Sequence, residues 1–298
     1  MNRNVLNSPR LLELKRHRQK AVWGKIFIFL LGLLAILALL AYLSHLDSLN
    51  ISEVQIVGNK VVDAGTIKEV VEQQIAGEYL WFFSRTNILY YPGDNIKNEL
   101  WNKFKRLKDI SLSIKNNKIL EVFLTERVAK FMWCGAVLLQ TETENPKCYF
   151  LDEDGYIFDE APYFSGEVYF KFYGSADINI DNPLGHSLTG EPFGSYFFKQ
   201  NFKRLVSFKD ILIGIGLKPV ATYITDDGNI EIFLSKGVFS ATEPKIILKT
   251  DSDFQNVAEN LEAALTTEPL QSQFKNKYSS LQYIDLRFGN KVYDKFSP

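Results

Sequence analysis

The chain has 298 residues, and its 34 basic and 35 acidic side chains leave a formal net charge of −1. That length allows a few domains with real cores. With no basic face beyond residue 25, the balance of charge argues against nucleic-acid binding.

Residues 1–25 are basic: Arg3, Arg10, Lys15, Arg16, Arg18, Lys20 and Lys25 are opposed only by Glu13. Residues 26–43 then carry no charge and no proline, with Gly32 as the one glycine and Trp23 and Tyr42 near the two ends. A helix rising about 1.5 Å per residue needs roughly 20 residues to cross ~30 Å of hydrocarbon. A buried core helix seldom lacks polar residues for so long. A cleaved signal has a shorter basic start and a small-x-small site, and no Ala-x-Ala follows this run. The reading is a membrane span over 26–46. The basic flank marks the cytoplasmic side, so the chain from residue 50 onward lies outside the membrane.

Residues 51–57, "ISEVQIV", alternate as a strand does, and Gly58-Asn59 ends them. In "DAGTIKEVVEQQIAG", Ile67, Val70, Val71 and Ile75 recur at helical spacing before Gly77. "YPGDNIKNELWNKFKRL" predicts a second helix with Ile96, Leu100, Trp101 and Phe104 on its apolar face. Two alternating runs in "DISLSIKNNKILEVFLTER" meet at Asn116-Asn117, residues that tolerate a tight hairpin. The expected core is Val54, Ile56, Ile67, Val70, Leu100, Phe104, Leu112, Ile114, Leu120 and Val122. The first strand offers a possible docking edge, or else merely completes the sheet.

From residue 128 the pattern becomes strand-rich, with Asp-Gly turns at Asp154-Gly155 and Asp227-Gly228. Two helices are predicted within it. One lies in 197–217. The other is "SDFQNVAENLEAALTTE", capped by Ser252 or Asp253, with Val257, Leu261 and Leu265 as its stripe. "YIDLRFGNKVYDKF" closes the chain as a strand pair or a bent strand. Cys134 and Cys148 leave two readings open: a disulfide across two strands if 134–148 is a hairpin, or two separate buried thiols.

Residues for chemistry are scarce. His17, His45 and His186 have no partner at ligand spacing, and cysteines without a nearby histidine do not make a zinc site. "LDEDGYIF" reads as a turn with a solvated acidic tip rather than a calcium loop. "IGIGLKP" lacks the third glycine of a nucleotide loop, and no Gly-x-Ser-x-Gly is present. The expectation is a binding protein without a cofactor, not an enzyme.

The order of these segments resembles the bacterial cell-division family FtsQ, called DivIB in many lineages. The residues that carry the resemblance are "ISEVQIVGNK", "LEVFLTERVAKFMW" with Glu126-Arg127, and "CYFLDEDGYIFDE" with Asp152, Gly155 and Phe158. "IILKTDSDFQNVAENLEAAL" and "YIDLRFGNKVY" complete the set. The proline usual after Glu-Arg is missing, and residues 163–196 are long and idiosyncratic. The resemblance implies an α+β protein: a cytoplasmic tail (1–25), one span (26–46), a β-α-α-β-β POTRA domain (50–127) and a β-rich domain with two helices (128–298).

It also implies a non-enzymatic scaffold of the division machinery at the septum. Such a scaffold binds FtsB- and FtsL-like partners and helps control septal peptidoglycan synthesis. The partner site would be the closing strand, with Asp285, Arg287, Phe288, Asn290, Lys291, Val292 and Tyr293. There an added strand would pair with a free edge, Arg287 would clamp a carboxylate, and Phe288 and Tyr293 would anchor it. The opposed reading keeps this strand inside the sheet, with Leu286 and Phe288 in the core. Arg287→Glu and Val292→Pro are expected to weaken binding without unfolding the domain. The runner-up function is another POTRA-type anchored chaperone or receptor in export or envelope assembly. An anchored cell-wall enzyme comes third.

Overall fold

A computed structural model describes residues 9–138, 147–176, 192–235 and 243–297, with side chains from Arg18 on. His186 and part of the 163–196 stretch lie outside the described residues, as does the side chain of His17. The chain divides into two compact units, Met1–Glu126 and Arg127–Pro298. The protein is mixed α/β, with an apolar N-terminal helix and a β-rich C-terminal region.

Helix α1 runs Pro9–Ser44, 36 residues or about 54 Å. It therefore begins well inside the basic segment, ahead of the apolar run. Within Arg18–Ser44, an 18-residue window reaches a mean hydropathy of 3.0, and none of that window is buried. Apolar side chains exposed around a whole helix suit a membrane span, and equally a signal sequence.

The rest of the first unit is a three-stranded sheet backed by two helices. Strand β1 (Glu53–Val57) pairs parallel with β5 (Ile119–Glu126), which pairs antiparallel with β4 (Leu107–Lys115). A parallel pair needs a crossover, and helices α2 (Ala64–Ile75) and α3 (Gly93–Lys103) lie within it. The Asp63 side chain accepts from the Thr66 N–H at 2.8 Å and caps α2. Asn116 and Asn117 take φ of 53° and 55°, as a tight β4–β5 turn requires.

Val54, Ile67, Val70, Leu100, Leu120 and Val122 are buried together as expected, with Ile56, Phe104, Leu112 and Ile114 partly buried against them. Trp101 corrects the predicted helix face. It is 39% exposed, because Ile96 and Leu100 already define the buried stripe of α3. Strand β1 lies at an edge of this sheet. Glu126 fastens the loop beyond β1: its buried carboxylate accepts from the backbone N–H groups of Lys60 (2.7 Å), Val61 (3.0 Å) and Val62 (3.1 Å). Burial raises its pKa, but those three donors outweigh burial and leave the group below the usual carboxylate range.

A hairpin absent from the sequence reading follows α2: β2 (Glu78–Tyr79) pairs with β3 (Phe83–Ser84). Its turn residues Leu80 and Trp81 take φ of 49° and 67°, a region usually left to Gly or Asn. With no turn residue between them, "EYLWFFS" carries no hairpin signal.

In the second unit, nine strands of the described residues form one sheet in the order β14-β13-β12-β11-β10-β9-β6-β7-β8. They are β6 (Phe131–Trp133), β7 (Cys148–Leu151), β8 (Ile157–Ala161), β9 (Lys171–Tyr173), β10 (Pro219–Ile224), β11 (Asn229–Leu234), β12 (Lys245–Lys249), β13 (Leu281–Phe288) and β14 (Lys291–Phe296). Two of its parallel pairs, β9–β10 and β12–β13, contain the helices in their crossovers. The first holds α4 (Phe202–Gly214); the second holds α5 (Phe254–Leu265) and α6 (Leu270–Lys277). Two helices were expected here. The third, α6, is "LQSQFKNK" and buries only Leu270, so it has no apolar stripe to read. Phe202, Leu205, Phe208 and Leu212 of α4 join Val257 and Leu261 of α5 in one core with Ile230, Ile232, Ile246 and Leu248. Asp253, not Ser252, caps α5 by accepting from the Gln255 N–H at 3.1 Å.

The acidic turn after β7 is not solvated throughout. Asp152 is fully buried, accepts from the N–H groups of Asp154 (2.9 Å) and Tyr156 (3.0 Å), and pairs with Arg127. The Arg127 guanidinium sits 3.8 Å from the centre of the Tyr156 ring. Gly155 takes φ of +79°, and a Cβ there would meet the Phe202 ring at 2.8 Å, so both conformation and space demand glycine. The Asp-x-x-Gly-x-x-Phe spacing is thus a buried turn, with Phe158 in the interior.

Cys134 and Cys148 form a disulfide, one step beyond the Trp133–Tyr149 pair of the β6–β7 hairpin. With the two cysteines 14 positions apart, the closed loop predicts a stabilisation of about 3 kcal/mol. A reductant should lower the melting temperature of the wild type. It should leave that of a Cys134→Ala/Cys148→Ala variant unchanged.

Candidate docking edge

The closing segment is a hairpin, so its two arms have different fates. Strand β13 is flanked by β12 on one side and β14 on the other, which makes β13 interior and β14 the edge. Ile284 and Leu286 of β13 fall into the core that holds Val257 and Leu261. Phe288, by contrast, is 56% exposed. The interior reading holds for Leu286 but not for Phe288, and the free edge falls on β14 rather than on β13.

Between Asp285↔Tyr293 and Phe288↔Lys291, β13 advances one residue more than β14. This bulge leaves an amide out of the ladder. Asp285 answers it: Oδ1 accepts from the Arg287 backbone N–H at 3.1 Å and from Arg287 Nε at 2.9 Å, and Oδ2 accepts from Nη2 at 2.6 Å. Burial raises the Asp285 pKa. The Arg287 side chain, and then its amide, outweigh burial and leave the carboxyl below its ordinary value. The expected partner-facing clamp is thus directed inward, with Asp285 buried and both charges spent on each other. The signal was the spacing: residues two apart on a strand share a face.

The turn is Phe288-Gly289-Asn290-Lys291. Only Gly289 takes positive φ, +66°, the pattern of a type II′ turn with glycine first. Just past it, the Phe288 and Tyr293 rings meet edge-on at 5.3 Å, both well exposed. Asn290 and Lys291 are exposed beside them, and Val292 is half-buried.

The edge itself has a defined polarity. The Ser297 N–H donates to the Ser280 carbonyl at 2.7 Å, so residue 297 faces β13. Alternation along the strand then turns the N–H and C=O groups of Val292, Asp294 and Phe296 outward. The opposite edge of the sheet is closed at Ile157, which exchanges bonds of 2.9 Å with Ser195 and Gly194. Exposed Lys291, Asp294 and Lys295 discourage indiscriminate pairing on β14. Among the described residues no three His, Cys, Asp or Glu side chains group as metal ligands. What β14 offers chemically is a strip of backbone donors and acceptors ending in an aromatic pair, suited to an added strand. No protein-family model matches the sequence, and no curated protein matches it.

Proposed function

We propose that this chain is a membrane-anchored, non-enzymatic scaffold of the FtsQ/DivIB type, holding FtsB- and FtsL-like division proteins at the septum. The observation that carries the reading is the edge of β14, unpaired among the described residues, with Phe288 and Tyr293 at its end. The partner contributes a strand to β14, and the aromatic pair selects what lies at its end.

Three observations support an uncleaved anchor with the bulk of the chain outside. The basic residues gather before the apolar run of α1. The Cys134–Cys148 disulfide suits an oxidising compartment. Ser44, the last residue of α1, is buried. Its Oγ accepts from the Ser84 N–H at 2.8 Å, and its carbonyl accepts from Asn50 Nδ2 at 2.9 Å. Cleavage here would strip the domain of those partners.

Val292→Pro tests the site. It removes an outward donor, so the fold and melting temperature should hold, while affinity for an FtsB-like protein falls about tenfold or more. Tyr293→Pro, whose N–H faces β13, should destabilise the unit instead. Unchanged binding by a folded Val292→Pro variant would remove β14 as the site. Depletion of the protein should give filamentous, undivided cells; normal division would favour the rival export or envelope-assembly role.

A further inference from the structure

We propose that the β2–β3 hairpin is a second membrane contact: Leu80, Trp81 and Phe82 enter the outer headgroup–acyl boundary beside the last turn of α1. The groove behind them takes lipid acyl chain. This rests on the reading of α1 as a span.

The hairpin is held at a definite level along α1. The Ser84 N–H donates to Ser44 Oγ, and the His45 ring lies 3.2 Å from the Phe82 carbonyl. Tyr79 and Phe83 line a cavity of about 600 Å³ with Leu40, Leu43, Leu89 and Tyr90. The hairpin therefore sits against the turn where the apolar run of the helix ends. Its tip is 81% exposed at Leu80 and 88% at Trp81, with Phe82 and the nearby Leu89 also exposed. So large an apolar patch is costly in water and marks a contact surface.

Two further features select lipid as the occupant. The groove is continuous with the bare apolar surface of α1, since Leu40 and Leu43 belong to both, and exposed Leu89 lines it beside the hairpin's Tyr79 and Phe83. Its polarity also changes in one direction along the helix. Leu40 and Leu43 stand on one side; on the other are His45 beside Glu78 at 4.0 Å and the Ser44, Asn50 and Thr86 hydrogen bonds. That gradient is the one a bilayer–water boundary imposes, and Trp is enriched at that boundary. Leu80 and Trp81 are held in left-handed conformations, strained for such residues, which displays their side chains outward.

The test uses the full chain in phosphatidylcholine/phosphatidylglycerol vesicles, with a nitrobenzoxadiazole dye on a cysteine introduced at one position. Trp81→Cys reads the tip, and Phe82→Cys repeats the reading with Trp81 in place. Leu34→Cys reads the helix. Val61→Cys, also exposed, reads the other end of β1, roughly 20 Å from Asn50. The expected result is strong quenching of the tip label by nitroxide lipids, with several-fold less iodide quenching than at position 61. A tip label as open to iodide as that at Val61, with the Leu34 label quenched by lipid, overturns the proposal and leaves the anchor intact. A tip label shielded from both quenchers means a second copy of the chain covers it, which also overturns the proposal. A Leu34 label untouched by lipid defeats the anchor reading and the hairpin contact with it.

Discussion

Arg287→Ala should destabilise the C-terminal unit by roughly 3–5 kcal/mol, the range for stripping one partner from a buried ion pair. The cost arises at Asp285, a buried carboxylate that loses two donors and keeps only the bulge amide. Asp285→Ala should cost less, because the half-exposed Arg287 can reach water. The effect has a pH signature. In the wild type the Asp285 pKa lies below its unfolded value, so its contribution is complete above about pH 4 and is lost as pH falls through the lowered pKa. Without Arg287, burial dominates and raises the pKa, so protonation relieves the variant. The gap between wild type and variant should therefore narrow as chemical denaturation is repeated at falling pH. Arg287→Glu should be worse still, since it sets two carboxylates together. A loss of partner binding in that variant would report unfolding, which is why Val292→Pro is the cleaner probe.

Leu100→Ala should cost the N-terminal unit roughly 2–5 kcal/mol, since no part of this side chain is exposed. It fills the space between α3 and the sheet, in the cluster of Ile67, Val70, Leu120 and Val122. For a unit of this size the melting temperature should drop by about 10 °C or more. Trp101→Ala, one residue on but facing out, should change it by no more than about 0.5 kcal/mol. Equal effects from the two would put α3 in the wrong rotational phase.

Periodicity made the regular elements readable. The stripe of α2, the Asn116-Asn117 turn and the apolar phase of α5 are local patterns that burial later obeys. What stayed hidden depends on tertiary partners. Leu80 and Trp81 form a tight turn without turn residues, because the hairpin is pinned to Ser44 and His45. Asp152 looks like a surface acid in the string "LDEDG", yet Arg127 makes its burial tolerable. At the candidate edge, the aromatics and the glycine turn could be read from their residue types. The i,i+2 spacing placed Asp285 and Arg287 on one face, but the bulge whose amide joins them could not be read, because a bulge is a property of two paired strands.

The large sheet grows by accretion. From β9 to β14 each strand lies beside its predecessor, and β6 to β8 do the same. Opening such a sheet need not be all or none. Its last strand, held on one side only, can fray at a free energy well below that of global unfolding, with its outward amides exchanging first. A strand laid on β14 would pass the frayed position to the newcomer. Amide protection at Val292, Asp294 and Phe296 would then rise toward that of β13, with no change of shape elsewhere in the sheet. Occupancy of the edge would thus be written into proton exchange rates, the sheet registering an added strand by losing motion rather than by moving.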